Sequence, residues 1–506
     1  MRHRFDNGGT PLNDERSSEL NLSRWWLALC GLVTLAMIAA AWMKGGYMDE
    51  YYTFSFAKSS VALPRAFEAW SRDSGHPVGF YALSRIGDLV LPADVFVRRL
   101  SNLLYFALAL VVAWSSGKGH RSFGLLYLAS LAAGPYVIER FAEYRSTFLG
   151  LMIIAIIVIR LRVALGQPER RSNFLLIALL AAWLGFIDYP LALTGIALCA
   201  AWVMIAAKAR DWSAVWGAAA AGAACIVVIA ASISNGARFR HLANPYFETF
   251  PDLVRDIGVV GVTAVVPCLA MLVLALIGVR RERAPILRAA TGSQFSHLLL
   301  LALICTTVGL ILVNADTHSM IRRQIFGIVP LLAAYLTEIS LPYLRPRPVT
   351  IALIGANLVA VSAASAAALT TKRNFDRYGP QIARAQRSCA TLPVYAILPE
   401  KLIRRRDNRF HMPDQFAEGL TDVAHRYRFR IRMDVPQRGW IDPACGAILW
   451  TEAAWLDEPP TPQSITSKLG LQIDPRTLQA AKLEWVDQDS RKQYSMLMRI
   501  PAPGRQ

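Results

Sequence analysis

Apolar runs long enough to cross ~30 Å of hydrocarbon as helices begin near Trp25 and recur until about Thr370. Short polar connections separate them. In order they cover residues 25–43, 96–114, 123–138, 147–163, 174–187, 190–207, 213–231, 256–279, 297–313, 324–341 and 348–370, which predicts about eleven transmembrane helices. The stretch "HPVGFYALSRIGDLVLP", residues 76–92, is not counted among them. It is short and carries Arg85 and Asp88, and a crossing there would put the later arginine clusters on the opposite side. It reads as an interfacial amphipathic helix in the first outer loop, with its polar residues in water and its leucines among lipid headgroups. Ahead of the first span, residues 1–24 are polar, with Arg2, Arg4, Arg16 and Arg24, and form a cytoplasmic tail before an uncleaved span. Past Thr370 the pattern changes. Residues 371–506 are charged, with short strand-like runs "LPVYAILP", "GAILWTEA" and "YSMLMRI", so a small α/β soluble domain follows the membrane domain of residues 25–370.

Composition agrees with this polytopic reading. Of 506 residues, 54% are hydrophobic and 18% charged, too apolar to bury around one water-soluble core. The net charge of +18 would suit nucleic acid, yet the arginines sit in short clusters between apolar runs, where they set topology. Nucleic-acid binding is therefore excluded. With the N-terminus cytoplasmic, the inner connections hold Lys118 and Arg121; Arg160, Arg162, Arg170 and Arg171; Lys208 and Arg210; Arg280, Arg281, Arg283 and Arg288; and Arg345 and Arg347. Each is basic. The expectation is a multi-pass protein of a bacterial inner (plasma) membrane with its C-terminal domain periplasmic. Cys30, Cys199, Cys225, Cys268 and Cys305 lie in apolar runs and read as small buried hydrophobes. Cys389 and Cys445, the two in the soluble domain, either pair as a disulfide in an oxidising compartment or remain thiols.

With that sidedness, one membrane surface collects Asp49 and Glu50; His76; Arg98 and Arg99; Glu139, Glu143 and Arg145; Asp188; and Arg322 and Arg323. Singly, each reads as a snorkelling or solvated loop charge. Together they point to a site, because ionisable groups at the bilayer edge are expensive to hold.

The order "MDEYY", "GHPVGFYALSR", "VFVRRLSNLLYFALAL", "PYVIERFAEYRSTFLGLM" and, late, "MIRRQIFGIVPLLAAYL" resembles the GT-C membrane glycosyltransferases. It is most similar to the branch of protein O-mannosyltransferases, lipid A aminoarabinose transferases and bacterial galacturonosyltransferases. Matched residue by residue, the resemblance picks out Asp49 and Glu50, His76 and Pro77, Glu143 and Arg145, and Arg322 or Arg323 with Pro330. Val78 stands where that branch has a second proline, Ser146-Thr147 replaces an aromatic-containing continuation, and "IDYP" at Asp188 replaces a His-Tyr pair.

The resemblance implies transfer of a sugar from a polyprenyl-phosphate donor to an envelope acceptor: lipid A or core, polysaccharide, lipid or protein. Asp49 would be the general base, with inversion at the anomeric carbon, and Glu50 would hold Asp49 or a sugar hydroxyl. His76, Arg98, Arg99, Glu143, Arg145, Asp188, Arg322 and Arg323 would bind the donor and its phosphate, the arginines answering the charge that grows on the leaving group. A divalent metal (Mg or Mn) on Asp49 with His76 or Glu143 is left open, since no local spacing specifies its ligands; no other cofactor is expected. The alternative is a multi-span transporter or flippase for polyprenyl lipids or small molecules, which would place charges near mid-span and show paired repeats. Here the charges gather at span ends.

Overall fold

The structure is a computed structural model. It describes residues 12–46, 48–72, 78–92, 94–117, 119–166, 172–235, 250–281, 293–317, 322–344, 347–370, 378–397, 415–433, 439–454, 461–468, 470–488 and 493–503. The chain divides into two compact units.

The first unit comprises Met1–Met43, Trp70–Leu83 and Phe96–Thr370. Helix α1 (Leu12–Met43) begins well inside the polar N-terminal stretch, and its apolar part is Leu22–Met43. Next in the chain come three short helices that lie wholly or partly in the second unit, α2 (Met48–Ala57), α3 (Leu63–Arg72) and α4 (Val78–Val90), and then α5 (Val95–Leu100) leads into α6 (Asn102–Ser115) of the first unit. The remaining helices of the unit are α7 (Arg121–Ala132), α8 (Pro135–Phe141), α9 (Ser146–Gly166), α10 (Ser172–Ile187), α11 (Tyr189–Lys208), α12 (Trp212–Asn235), α13 (Phe250–Val265), α14 (Leu269–Arg281), α15 (Gln294–Thr317), α16 (Ile328–Ser340) and α17 (Pro348–Leu369).

Every apolar run falls on helix, and among the described residues nine helical stretches are long and apolar enough to cross a membrane. The other two expected spans differ in form. The apolar part of α10, Leu175–Ile187, is shorter, and the run over α7 and α8 is bent by 79°. Sequence explains the bend. Pro135 has no N–H to continue the α7 ladder, and Gly134 before it is forced to extended backbone (φ −64°, ψ 137°), where α8 starts afresh.

Helix α9 is buried nearly all round, with 83% of its apolar window covered against 28% for α17, so it forms the centre of the unit. Hydrophobic pattern and position agree there: a helix apolar on every face has no reason to meet water.

The second unit comprises Lys44–Ala69, Ser84–Val95 and Thr371–Gln506. Its C-terminal part holds α18 (Gly379–Ser388), β1 (Val394–Ile397), α19 (Gln415–Tyr427), β2 (Ala447–Ala454), α20 (Pro462–Lys468), α21 (Pro475–Gln479), β3 (Lys482–Gln488) and β4 (Gln493–Ile500). The sheet order is β1-β2-β4-β3, with β1 parallel to β2 and the other pairs antiparallel. In β2 and β4 the residues alternate between two cores: Ile448, Trp450 and Leu497 pack with Ile382, Leu420 and Val423, while Ala447, Leu449, Met496 and Met498 pack with Ile465 and Trp440. Both faces of the sheet are thus covered. Cys389 and Cys445 are joined as a disulfide, with Cα atoms 6.1 Å apart.

Two segments that follow the first span cluster with this domain instead of with the helices. Tyr51 and Val95 enter the same core as Ile382 and Val423, and Phe54 packs against it. The first-loop helix α4 also departs from expectation. Ile86, Leu89 and Val90 are exposed, but Arg85 and Asp88, expected in water, turn inward. Arg85 donates to the carbonyls of Lys58, Ser59 and Val61, and Asp88 accepts from the Ser59 amide at 2.7 Å. A turn with several orphan carbonyls and amides offers such side chains better-placed partners than solvent does.

Candidate functional site

In the first unit the polar groups gather where helices end. Asp188 breaks the chain between α10 and α11. Its backbone is extended (φ −158°, ψ 112°), and its carboxylate accepts from the Leu191 amide at 3.2 Å, a cap that Pro190 in the first turn accommodates without losing a bond. Ser146 Oγ donates to the other oxygen at 3.0 Å, and Thr147 Oγ1 at 3.3 Å. Ser146 and Thr147 thus hold Asp188. As a cap with two hydroxyl donors, Asp188 fixes the start of α9 against the start of α11.

The connection from α8 to α9 carries the ion pairs. Arg140 meets Glu143 at 2.5 Å and Glu139 at 3.1 Å, all three largely buried. Asn102, at the start of α6, donates to the carbonyls of Phe141 (2.9 Å) and Glu143 (3.0 Å), satisfying the orphan acceptors at the end of α8. The Arg140 guanidinium lies 5.1 Å from the centre of the Phe326 ring, which also meets Tyr136 at 4.7 Å. Phe326 belongs to the 3-10 segment Arg322–Gly327, so the connection and the backbone carrying Arg322 and Arg323 share one end of the bundle. Arg99, on α5, reaches the same end by donating to the Ala41 carbonyl at 2.9 Å, a cation against the C-terminal dipole of α1. Arg98 and Arg145 are buried there too.

Of the residues picked out by sequence, the structure therefore brings Arg98, Arg99, Glu143, Arg145 and Asp188 to the ends of neighbouring helices. It adds two that sequence reasoning missed. Arg140 stands three residues before Glu143 at a helix end, a spacing that could have flagged the pair; nothing local marked Asn102. Asp49 and Glu50 open α2, in the second unit, and Glu50 is fully buried. His76, the side chain of Asp49 and the side chains of Arg322 and Arg323 lie outside the described residues. Among the described residues no three His, Cys, Asp or Glu side chains gather as a metal site, and Glu143, one of the three candidate ligands, is committed to Arg140.

The far end of α9 has a cluster of its own. Arg162 lies 16 residues beyond Ser146, roughly 24 Å along the axis at ~1.5 Å per residue. Its Nε donates to Glu338 at 2.8 Å, and its Nη1 to the Gly119 carbonyl (2.9 Å) and His120 Nδ1 (3.0 Å). The Phe123 ring lies beneath it, and Ser293 donates to the second oxygen of Glu338.

No protein-family model matches the chain, and no curated protein sequence does. Among solved structures it is similar to ArnT from Cupriavidus metallidurans. The likeness spans nearly the whole chain. With the crystal structure bound to undecaprenyl phosphate it covers 94% of this chain and 98% of that one, at 12% identity and a TM-score of 0.49. With the apo crystal structure it covers 93% and 97%, at 14% identity and the same TM-score.

Proposed function

We propose that the chain is a GT-C-type membrane glycosyltransferase that moves a sugar from a polyprenyl phosphate to an envelope acceptor on the outer side of the inner membrane. The observation that carries this reading is the gathering of four buried arginines, Arg98, Arg99, Arg140 and Arg145, at one end of the membrane helices. In this reading that end lies beside the lipid headgroups. A lipid-linked phosphate presents its charge at that depth, and planar guanidinium forks match its oxygens.

In the proposed reaction Asp49 takes the proton of the acceptor hydroxyl or amine as that atom attacks the anomeric carbon from the face opposite the phosphate. The bond from that carbon to the phosphate oxygen breaks, its electron pair leaves with the polyprenyl phosphate, and the configuration inverts. The arginines stabilise the departing phosphate, an effect worth a few kcal/mol of barrier for preorganised charge. A transporter would need charge near mid-span; among the described residues of α9, the stretch between Ser146 and Arg160 carries none.

The test is transfer from radiolabelled polyprenyl-phosphate sugars to envelope extracts, in membranes carrying wild type or Asp49→Asn. Loss of a general base costs ~10²–10⁴-fold, so the variant should lose transfer at unchanged protein level. Equal transfer by both removes Asp49 as the base, and transfer by neither removes the reading. Sidedness is tested apart from activity: Lys208→Cys should react with an impermeant maleimide only after the membrane is opened, and labelling of intact cells would invert the topology.

A further inference from the structure

We propose that Asp422, in the C-terminal domain, is a positioning residue that holds the helix carrying Asp49 and Glu50 in its working place. The inference rests on the transferase reading for its kinetic consequence, but its structural basis lies wholly within the second unit. Tyr51 follows directly after the acidic pair on α2 and is 1% exposed. Its hydroxyl donates to Asp422 Oδ2 at 2.8 Å. The same oxygen accepts from Arg426 Nη2 at 3.1 Å, one turn further along α19. The Tyr51 ring is embedded with Leu420, Val423 and Ala424 of that helix, and Phe54 meets it edge-on at 6.0 Å.

A second observation comes from the other side of the ring. A Cβ at Gly46 would collide with the Tyr51 hydroxyl and ring, so only glycine lets the chain leaving the first span pass this close. The tyrosine is clasped between that glycine and the carboxylate. A buried phenol needs an acceptor, and a carboxylate already oriented by an arginine supplies one of fixed direction. Since α2 is a short rigid helix, fixing Tyr51 fixes the backbone of residues 49 and 50 immediately before it. The soluble domain is then part of the catalytic scaffold, and Asp422 acts through Tyr51 without touching substrate. A displacement near 1 Å at a reacting group can cost ~10²-fold in rate, so a small loosening is enough to matter.

Full-length protein in nanodiscs decides the matter with two readouts, deuterium uptake at residues 48–57 and steady-state transfer. Asp422→Ala should raise uptake in that segment and lower kcat about 10- to 100-fold, with KM for the donor changed less than about threefold. Asp422→Asn, whose amide oxygen still accepts from Tyr51, should restore both readouts toward wild type. Gly46→Ala should reproduce the alanine variant's behaviour, and Tyr51→Phe covers the case in which Asp422→Ala fails to fold. Unchanged uptake in Asp422→Ala and Tyr51→Phe overturns the inference. So does raised uptake at full kcat, or an Asn variant as impaired as Ala. If wild type transfers no sugar from any donor, the transferase reading falls by itself, and the uptake comparison still says whether Asp422 holds α2.

Discussion

Both ends of α9 lock an arginine to a glutamate, and the two pairs are built differently. At the Glu338 end one cation meets one carboxylate, and the neighbours complete the set: Arg162 uses Glu338, Gly119, His120 and the Phe123 face, and Ser293 takes the remaining carboxylate oxygen. At the Asp188 end the buried arginines Arg98, Arg99, Arg140 and Arg145 gather near Glu139, Glu143 and Asp188, and Arg140 pairs with both glutamates while Asp188 caps a helix. There the buried Nε of Arg140 finds no hydrogen-bond partner among the described residues. A buried donor left unmade costs ~1–3 kcal/mol, so such a group persists where something other than stability selects it. The Glu338 end is a staple; at the other end the proposed function has the arginines meet the donor phosphate.

That contrast can be broken most sharply by removing one carboxylate from each pair. Glu143→Ala should strip Arg140 of its closest partner in a buried site and cost ~3–5 kcal/mol of stability, whereas Glu338→Ala should cost only about 1–2, since Arg162 is partly exposed and keeps other acceptors. Thermal unfolding in detergent compares the two, and equal losses would erase the distinction. Activity gives the next largest effect. If the proposed function holds and Arg145 faces the phosphate, Arg145→Ala should lower transfer ~10²–10³-fold, while Arg162→Ala should leave the kcat of the folded protein within a few-fold of wild type. A comparable loss in both would mean that the ends are not functionally distinct.

A smaller difference is expected at the cap. Asp188→Asn keeps an oxygen for the Leu191 amide and should lose about 1 kcal/mol or less, while Asp188→Ala should lose more by freeing the hydroxyls of Ser146 and Thr147 as well. The smallest effect lies outside both ends and serves as a reference. Asp442, exposed in the soluble domain, accepts from the amides of Cys445 and Ala444, which hold its carboxyl below the ordinary value of 3.8. A depressed carboxyl stabilises the fold above its unfolded-state pKa and loses that contribution as pH falls through the lower folded value. Acid titration of stability should therefore show a slight decline below about pH 4 that Asp442→Asn removes.

Sequence made the membrane architecture legible because lipid imposes a single rule on every span, and each apolar run did become helix. The 79° break was half visible: Pro135 announces an interruption, but its angle depends on what α7 and α8 pack against. The inward turn of Arg85 and Asp88 was hidden, since amphipathic spacing reports which residues are polar and not whether water or backbone receives them. At the site, Glu143 and Arg145 were found through motif order, and Asp188 only as a charge at an outer span end. The Asn102 contact with Phe141 and Glu143 was not, because a single neutral amide carries no periodic or charge signal. Least legible was the membership of α2 in the soluble unit. Its hydrogen bond joins residues 371 positions apart, and the aromatics of "MDEYYTFSF" look equally at home in a membrane-interface belt.

That separation also sets a schedule for biosynthesis. Tyr51 leaves the ribosome long before α19, and at ~5–20 residues per second the interval is roughly 20 to 70 s. Throughout it, the faces of Tyr51 and Phe54 that will be buried have no domain to enter. The nascent first loop must wait with its aromatics uncovered until the whole membrane region has been made, and only about the last quarter of the chain brings the surface that closes over it.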